Sequence, residues 1–236
     1  MSSNDALLRL RGVSKDYRSL RPLRIAELDL SPGRSLALLG FDQTMAEVLV
    51  DLITGAILPD SGDIVAFGRA TSSIADPGSW LTTLDQFGLF TDRAVLVEQF
   101  TVEQNLALPL SITVEDLTAE IRASVGELAS EIGLANELRR QAGVLGPDLR
   151  ARIRLGRALA LAPQVLIAEH PNATLSPQQA SALATDMSKI IRSRGIASIV
   201  ITADEAFARA AATEVLVLEP ATGALKPASS WRRWFS

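Results

Sequence analysis

Cysteine is absent from the 236 residues, and histidine occurs once, as His170. Without cysteine there is no disulfide framework and no thiolate zinc site, and a lone imidazole cannot build a His-rich metal centre. This composition suits the cytosol. No apolar run approaches the roughly 18 residues of a membrane span, and the opening "MSSNDALLRL" lacks the basic flank and apolar core of a signal segment. Contact with a membrane would then run through a partner or along the surface. A basic excess is missing too. With 23 Lys and Arg against 27 Asp and Glu, the net charge is −4, so nucleic acid is not expected as a partner. Repeats, low-complexity tracts and linkers are also lacking, which predicts one compact unit with a sizeable core.

What is present changes character along the chain. "LLRLRGVSKDYRSLRPLRIAELDLSPGRSLALLG" alternates short β-type runs with turn residues and ends in an apolar strand, Leu36 to Leu39. A helix fits Thr44 to Leu52, stopped by Gly55, and "PDSGDIVAFG" reads as a turn entering another strand. From about Thr101 to Leu161 apolar residues recur every three or four positions, as in "VEDLTAEIRASVGELASEIGL" and "LRARIRLGRALAL". "QVLIAE" and "ASIVIT" are short, branched and apolar, each preceded by a helix-like segment, as buried parallel strands are.

Six landmarks follow one another: "VSKDY", "SPGRSLALLG", "LITGAILPDSGDI", "FTVEQNLALPL", "RLGRALALAPQVLIAEHPNATLS" and "IVITADE". In this order and spacing, over nearly the whole chain, they resemble the nucleotide-binding domain of ABC transporters. The resemblance implies an α/β, P-loop NTPase-like fold with an N-terminal β-rich part, a RecA-like core and a helical subdomain at about 101–160. It also implies a single domain over 1–230, with 231–236 as a tail. ATP and Mg2+ would be the cofactors, an integral membrane permease and a second ATP-binding subunit or copy would be partners, and the chain would sit on the cytosolic face of the inner membrane.

The residues carrying the family's chemistry are altered. A phosphate loop G-x-x-x-x-G-K-[ST] needs glycines that aim backbone N–H groups at phosphate, a lysine for charge and a hydroxyl for magnesium. Gly40 fits the first glycine; without gaps, Gln43 and Met45 fall on later glycines, Ala46 on the lysine and Glu47 on the hydroxyl, with Val48 beside it. The loop is expected to keep its length, and Asp42 and Glu47 to bring carboxylates where phosphates would lie, a repulsion on the order of kcal/mol each. A helix N-terminus would still offer its dipole. Tyr17, the only tyrosine, stands where the family stacks a ring on adenine; packing over an edge strand is the other reading. Glu169 and His170 fall where the family has a metal-orienting aspartate and a water-activating glutamate. His170 is either a substitute base or a structural histidine at a strand end. Ser176 replaces the aspartate through which protomers communicate, and Ala203 the histidine that contacts the γ-phosphate. Thr91 or Asp92 lies near the lid glutamine. Signature-like Leu145, Gly146, Pro147, Asp148 and Leu149 put proline and a carboxylate at a phosphate-facing helix end, with Pro147 and Asp148 expected to cap the helix.

Two surface features stand apart. Arg150, Arg154 and Arg157 share a helix face, predicting a solvated face or one that meets acidic partners or lipid headgroups. The tail "SSWRRWFS", with Trp231, Arg232, Arg233, Trp234 and Phe235, suits a membrane interface, a partner's groove or packing on its own domain. Three functions are weighed: a permease-docked ABC subunit with a degenerate site that acts as a structural or regulatory half, a working ATPase using Glu169 and His170, and a nucleotide-sensing module without a permease. The pattern of lost polar groups beside a retained apolar pattern places the first ahead.

Overall fold

A computed structural model describes residues 6–74 and 77–231. Residues 232–236, most of the aromatic and basic tail, lie outside the described residues.

The first strands alternate buried and open positions and pair antiparallel. β1 (Leu8–Lys15) lies between β2 (Leu23–Leu30) and β4 (Ser61–Ala66), and β5 (Arg69–Ala70) extends the edge. Leu8 faces Leu30 and Val13 faces Ile25, so the apolar positions of neighbouring strands fall on one side. A six-stranded sheet forms the centre: β10 (Ala224–Pro227), β9 (Glu214–Glu219), β3 (Ser35–Leu39), β8 (Ala197–Ile201), β7 (Val165–Glu169) and β6 (Phe87–Phe90), in that spatial order. All of its pairings are parallel except β10 with β9.

The apolar runs of β3, β7 and β8 are continuous because both faces of the sheet are covered. Leu36, Leu38, Val165, Ile167, Ile199 and Ile201 enter a core shared with the antiparallel sheet and α1 (Gln43–Ile53). The intervening Ala37, Leu166, Ala168 and Val200 enter a second core, built with α6 (Pro177–Arg194), α7 (Glu205–Ala211) and the helical middle of the chain. The fold therefore matches the expected β-rich part, α/β core and helical region. α2 (Pro77–Leu84) lies at the rim, where Trp80 Nε1 donates to Thr54 O at 2.9 Å. α8 (Ala228–Trp231) ends the described chain.

The helical middle contains α3 (Val102–Ala107), α4 (Ala119–Glu131) and α5 (Pro147–Leu159). "VEDL", expected to be helical, precedes α4 instead, because the Thr118 side chain caps the helix by accepting from Ile121 N. A reciprocal capping box between Thr101 and Gln104 starts α3.

α5 passes directly over β6. A Cβ built on Gly88 would lie 2.3 Å from Ala158 O and 2.9 Å from the Pro163 ring, so only glycine lets the helix approach this closely. Gly88→Ala is expected to destabilise the protein by about 1–3 kcal/mol, since backbone must shift to admit the methyl group. Urea unfolding checks this, and an unchanged midpoint would contradict so close a contact.

Candidate functional site at the carboxyl ends of β3 and β7

In open parallel sheets, ligands bind beyond the carboxyl ends of the strands. There β3 leads into α1 through only three residues. Gly40 turns the chain at φ 88°, and Asp42 caps the helix with Oδ1 accepting from Met45 N at 2.7 Å. The helix expected over Thr44 to Leu52 is present and begins one residue earlier, so that Gln43 as well as Thr44 and Met45 is helical. The physical reason is local. With no glycine after Gly40, nothing opposes winding, and the Asp42 carboxylate takes an amide that an extended loop would leave for an anion.

Of the positions expected to cradle phosphate, Ala46 is wholly buried in the core, and Met45 and Val48 pack partly buried against it. Gln43 and Glu47 instead turn toward β7. Gln43 Nε2 donates to Glu47 Oε1 at 2.9 Å and to Glu169 Oε1 at 2.8 Å. The Glu169 side chain is 1% exposed and receives Arg93 Nη2 at 3.1 Å, while Arg93 Nη1 reaches Asp51 Oδ1 on α1 at 2.8 Å. Burial raises the Glu169 pKa above the ordinary carboxylate value, opposed by the Arg93 charge and by a hydrogen bond from Thr91, with Glu47 adding to the rise. The Arg93 pKa is raised: desolvation works against its charge, and the hydrogen bond to Asp51 and the Glu169 charge outweigh it.

His170, the next residue, has a left-handed backbone at φ 42° and donates its N–H to Ile201 O at 2.8 Å. Such a φ is uncommon for a non-glycine residue. Its ring Nε2 is buried with no hydrogen-bond partner among the described residues. Beside it, Thr202 Oγ1 donates to Asn172 Oδ1 at 2.9 Å, and Asn172 Nδ2 to Asp204 Oδ2 at 3.3 Å. Ala203 is exposed between Thr202 and Asp204, the residue that caps α7. Ser176 caps α6 in a reciprocal box with Gln179.

At the signature-like segment, Gly146 is the N-cap of α5, Pro147 its first residue and Asp148 part of its first turn. The expectation that Pro147 and Asp148 cap this helix is thereby corrected, because no side chain bonds to its first amides. Leu145 is buried and Leu149 packs on the same core. Tyr17, just beyond β1, packs partly buried against the core under the antiparallel sheet.

The structure thus brings Gln43, Glu47 and Glu169 together and adds two residues the sequence reading did not single out, Arg93 and Asp51. A signal was available: Glu47 and Asp51 fall one turn apart on α1, and with no lysine at position 46 their charge calls for a cation from elsewhere. Thr91 is buried near Glu169, whereas Asp92 pairs with Arg154 at 3.2 Å. Arg150 pairs with Glu98 at 3.1 Å, and Arg157 Nη1 donates to Val95 O at 2.8 Å. The expectation of a solvated or lipid-facing arginine stripe is therefore corrected. These three side chains are spent on the segment 92–98, because that segment supplies two carboxylates and a carbonyl beside their helix face. Among the described residues, no cluster of three or more His, Asp or Glu is disposed to hold a metal ion.

No protein-family model matches the chain. It is 27% identical over 210 residues to the lipoprotein-releasing system ATP-binding protein LolD 2 of Caulobacter vibrioides, covering 87% of this chain and 92% of that protein. It is 28% identical over 219 residues to the methionine import ATP-binding protein MetN of Bradyrhizobium diazoefficiens, covering 90% of this chain and 63% of that protein. A bacterial ABC transporter cassette solved as a dimer superposes with TM-score 0.76 at 19% identity, over 92% of this chain and 96% of that one. The chain's homologues are ABC transporter ATP-binding proteins, and its fold is that of an ABC cassette.

The buried carboxyl at the centre of the site has a pH signature. An unfolded glutamate ionises at about pH 4.3. With the folded value raised, the folded chain holds the proton at a pH where the unfolded chain has lost it. Stability conferred by this group is thus greatest below the unfolded pKa and falls as pH rises through the folded pKa. Relative to Glu169→Gln, wild-type stability is expected to decline as pH rises above about 4. Chemical unfolding of both proteins across that range checks the sign, and parallel profiles would contradict it.

Proposed function

We propose that this chain is the cytosolic ATP-binding-cassette subunit of a membrane transporter, docked to an integral membrane permease as part of a cassette dimer. In this reading its own nucleotide site is degenerate, so it binds ATP weakly, hydrolyses it poorly and acts as a structural or regulatory half. The cassette fold and relatives that are ATP-binding proteins of lipoprotein release and methionine import support the transporter role. The dimeric cassette supports pairing with a second subunit or copy. No helix among the described residues is long and apolar enough to cross a membrane, in keeping with docking to a partner that does.

One observation carries the degenerate site: the Glu169 carboxyl at the end of β7 is already engaged by Gln43 and Arg93. A magnesium triphosphate needs free amides at the head of α1, a cation facing its oxygens and a hydroxyl or carboxylate free to hold metal water. Here Asp42 holds the Met45 amide, Ala46 is buried in the core, and Glu169 is engaged with protein donors. These residues do not fit that group.

A shallow groove of about 200 Å³ between the core and the helical region supports the permease partner. Phe87, Leu89, Pro109 and Leu161 line it, and Val95 stands exposed in the segment that runs along α5.

A second reading, a working ATPase, is favoured by the retained carboxylate Glu169 and by the unpartnered Nε2 of His170, which would serve as the base. Phosphate release by the purified chain with ATP and magnesium separates the two. The degenerate site is expected to give a rate no higher than that of Glu169→Gln or His170→Ala. A magnesium-dependent rate that falls in either variant would overturn it and put the second reading in its place.

A further inference from the structure

The segment 91–98 leaves the core at the end of β6 and enters the helical region at α3. It is held on both sides by charge. Toward the core, Arg93 alone bridges two elements, Asp51 of α1 and the buried Glu169 of β7. Toward the helical region, Asp92 and Glu98 pair with Arg154 and Arg150 of α5, and Val95 O accepts from Arg157. The buried Asn105 of α3 closes the segment's far end, accepting from Val97 N at 3.1 Å and donating to Val97 O at 3.0 Å.

The charge arithmetic at the core end depends on Arg93. Glu47, Asp51 and Glu169 gather around Gln43 and Arg93, and the guanidinium is the only cation that the hydrogen bonds and ion pairs of this group contain. Its planar fork reaches two carboxylates on different elements at once, which a compact ammonium would do less well.

We propose that Arg93 is a built-in cation that takes the place of a bound metal cation among Asp51, Glu169 and Glu47, and that it fixes the helical region on the core without nucleotide. The inference rests on the reading of this pocket as a degenerate nucleotide site. It goes beyond that reading by assigning Arg93 a positioning role: the inter-lobe geometry is set by a side chain and is always in force.

Hydrogen exchange on the purified chain tests this, in Arg93→Ala, Arg93→Lys and the wild type. In wild type, amides of 94–100 are expected to be protected without nucleotide and unchanged by ATP with magnesium. In Arg93→Ala, their exchange is expected to rise by about tenfold or more. Millimolar guanidinium chloride should restore protection where equal sodium chloride does not, because the small cation fills the vacated place. Arg93→Lys, which keeps the charge and loses the fork, should fall between the two, and it provides the comparison if the alanine variant does not fold. Equal exchange in wild type and both variants, or wild-type protection that appears only with ATP and magnesium, would overturn the proposal. The comparison of variants uses neither permease nor turnover, so Arg93 can fail as a clamp while the transporter reading stands, and the transporter reading can fail while the clamp holds.

Discussion

A guanidinium shared between Asp51 and a fully buried Glu169 is the contact on which the arrangement of this cassette turns. A carboxylate held at the end of a buried strand is costly unless paired and hydrogen-bonded, and removing one partner of such a pair typically costs about 3–5 kcal/mol. Here the pairing comes from protein. Gln43 from the head of α1 and Arg93 from the segment after β6 converge on the two oxygens of Glu169, so three separated parts of the chain are tied at one point. These ties add to the apolar packing that holds α1 against the sheet.

The same economy recurs at each altered position. Asp42 supplies to α1 the anion that its helix dipole favours, and Ser176 and Asp204 cap α6 and α7 with their own side chains. At α5, proline at the first helical position leaves one amide fewer to satisfy. The heads of α1, α6 and α7 are capped by side chains of the chain itself. The α5 arginines do likewise, turning from solvent to the carboxylates of 92–98.

The architecture was readable from sequence because its signals are repetitive. The apolar runs of β3, β7 and β8, with odd and even residues entering different cores, can only be strands of a sheet covered on both faces. Gly40, "QVLIAE" and "IVITADE" then set the order of landmarks. The site was less legible. The motif named Gln43, Glu47 and Glu169 as site positions without foretelling the hydrogen bonds that join them, and Arg93 and Asp51 are ordinary surface-type residues whose meeting depends on tertiary contacts 42 and 76 residues apart in sequence. The onset of α1 at Gln43 was missed by one residue for a related reason. Helix onset depends on whether Asp42 caps, and a strong N-cap placed early shortens a loop without changing the number of residues between Gly40 and Gly55. The arginine stripe looked solvated because helical spacing reports which residues share a face and says nothing about what lies across from it.

The central proposal is that Gln43, Arg93 and Asp42 occupy with protein groups the place where a nucleotide would bind. Calorimetric titration of the purified chain with ATP, with and without magnesium, tests it most directly. The expected result is no saturable heat with magnesium beyond that without it, up to millimolar nucleotide. Saturable, magnesium-dependent binding in the low micromolar range, about −7 to −8 kcal/mol, would contradict the claim, because Arg93 and Asp42 would then have to yield their places readily.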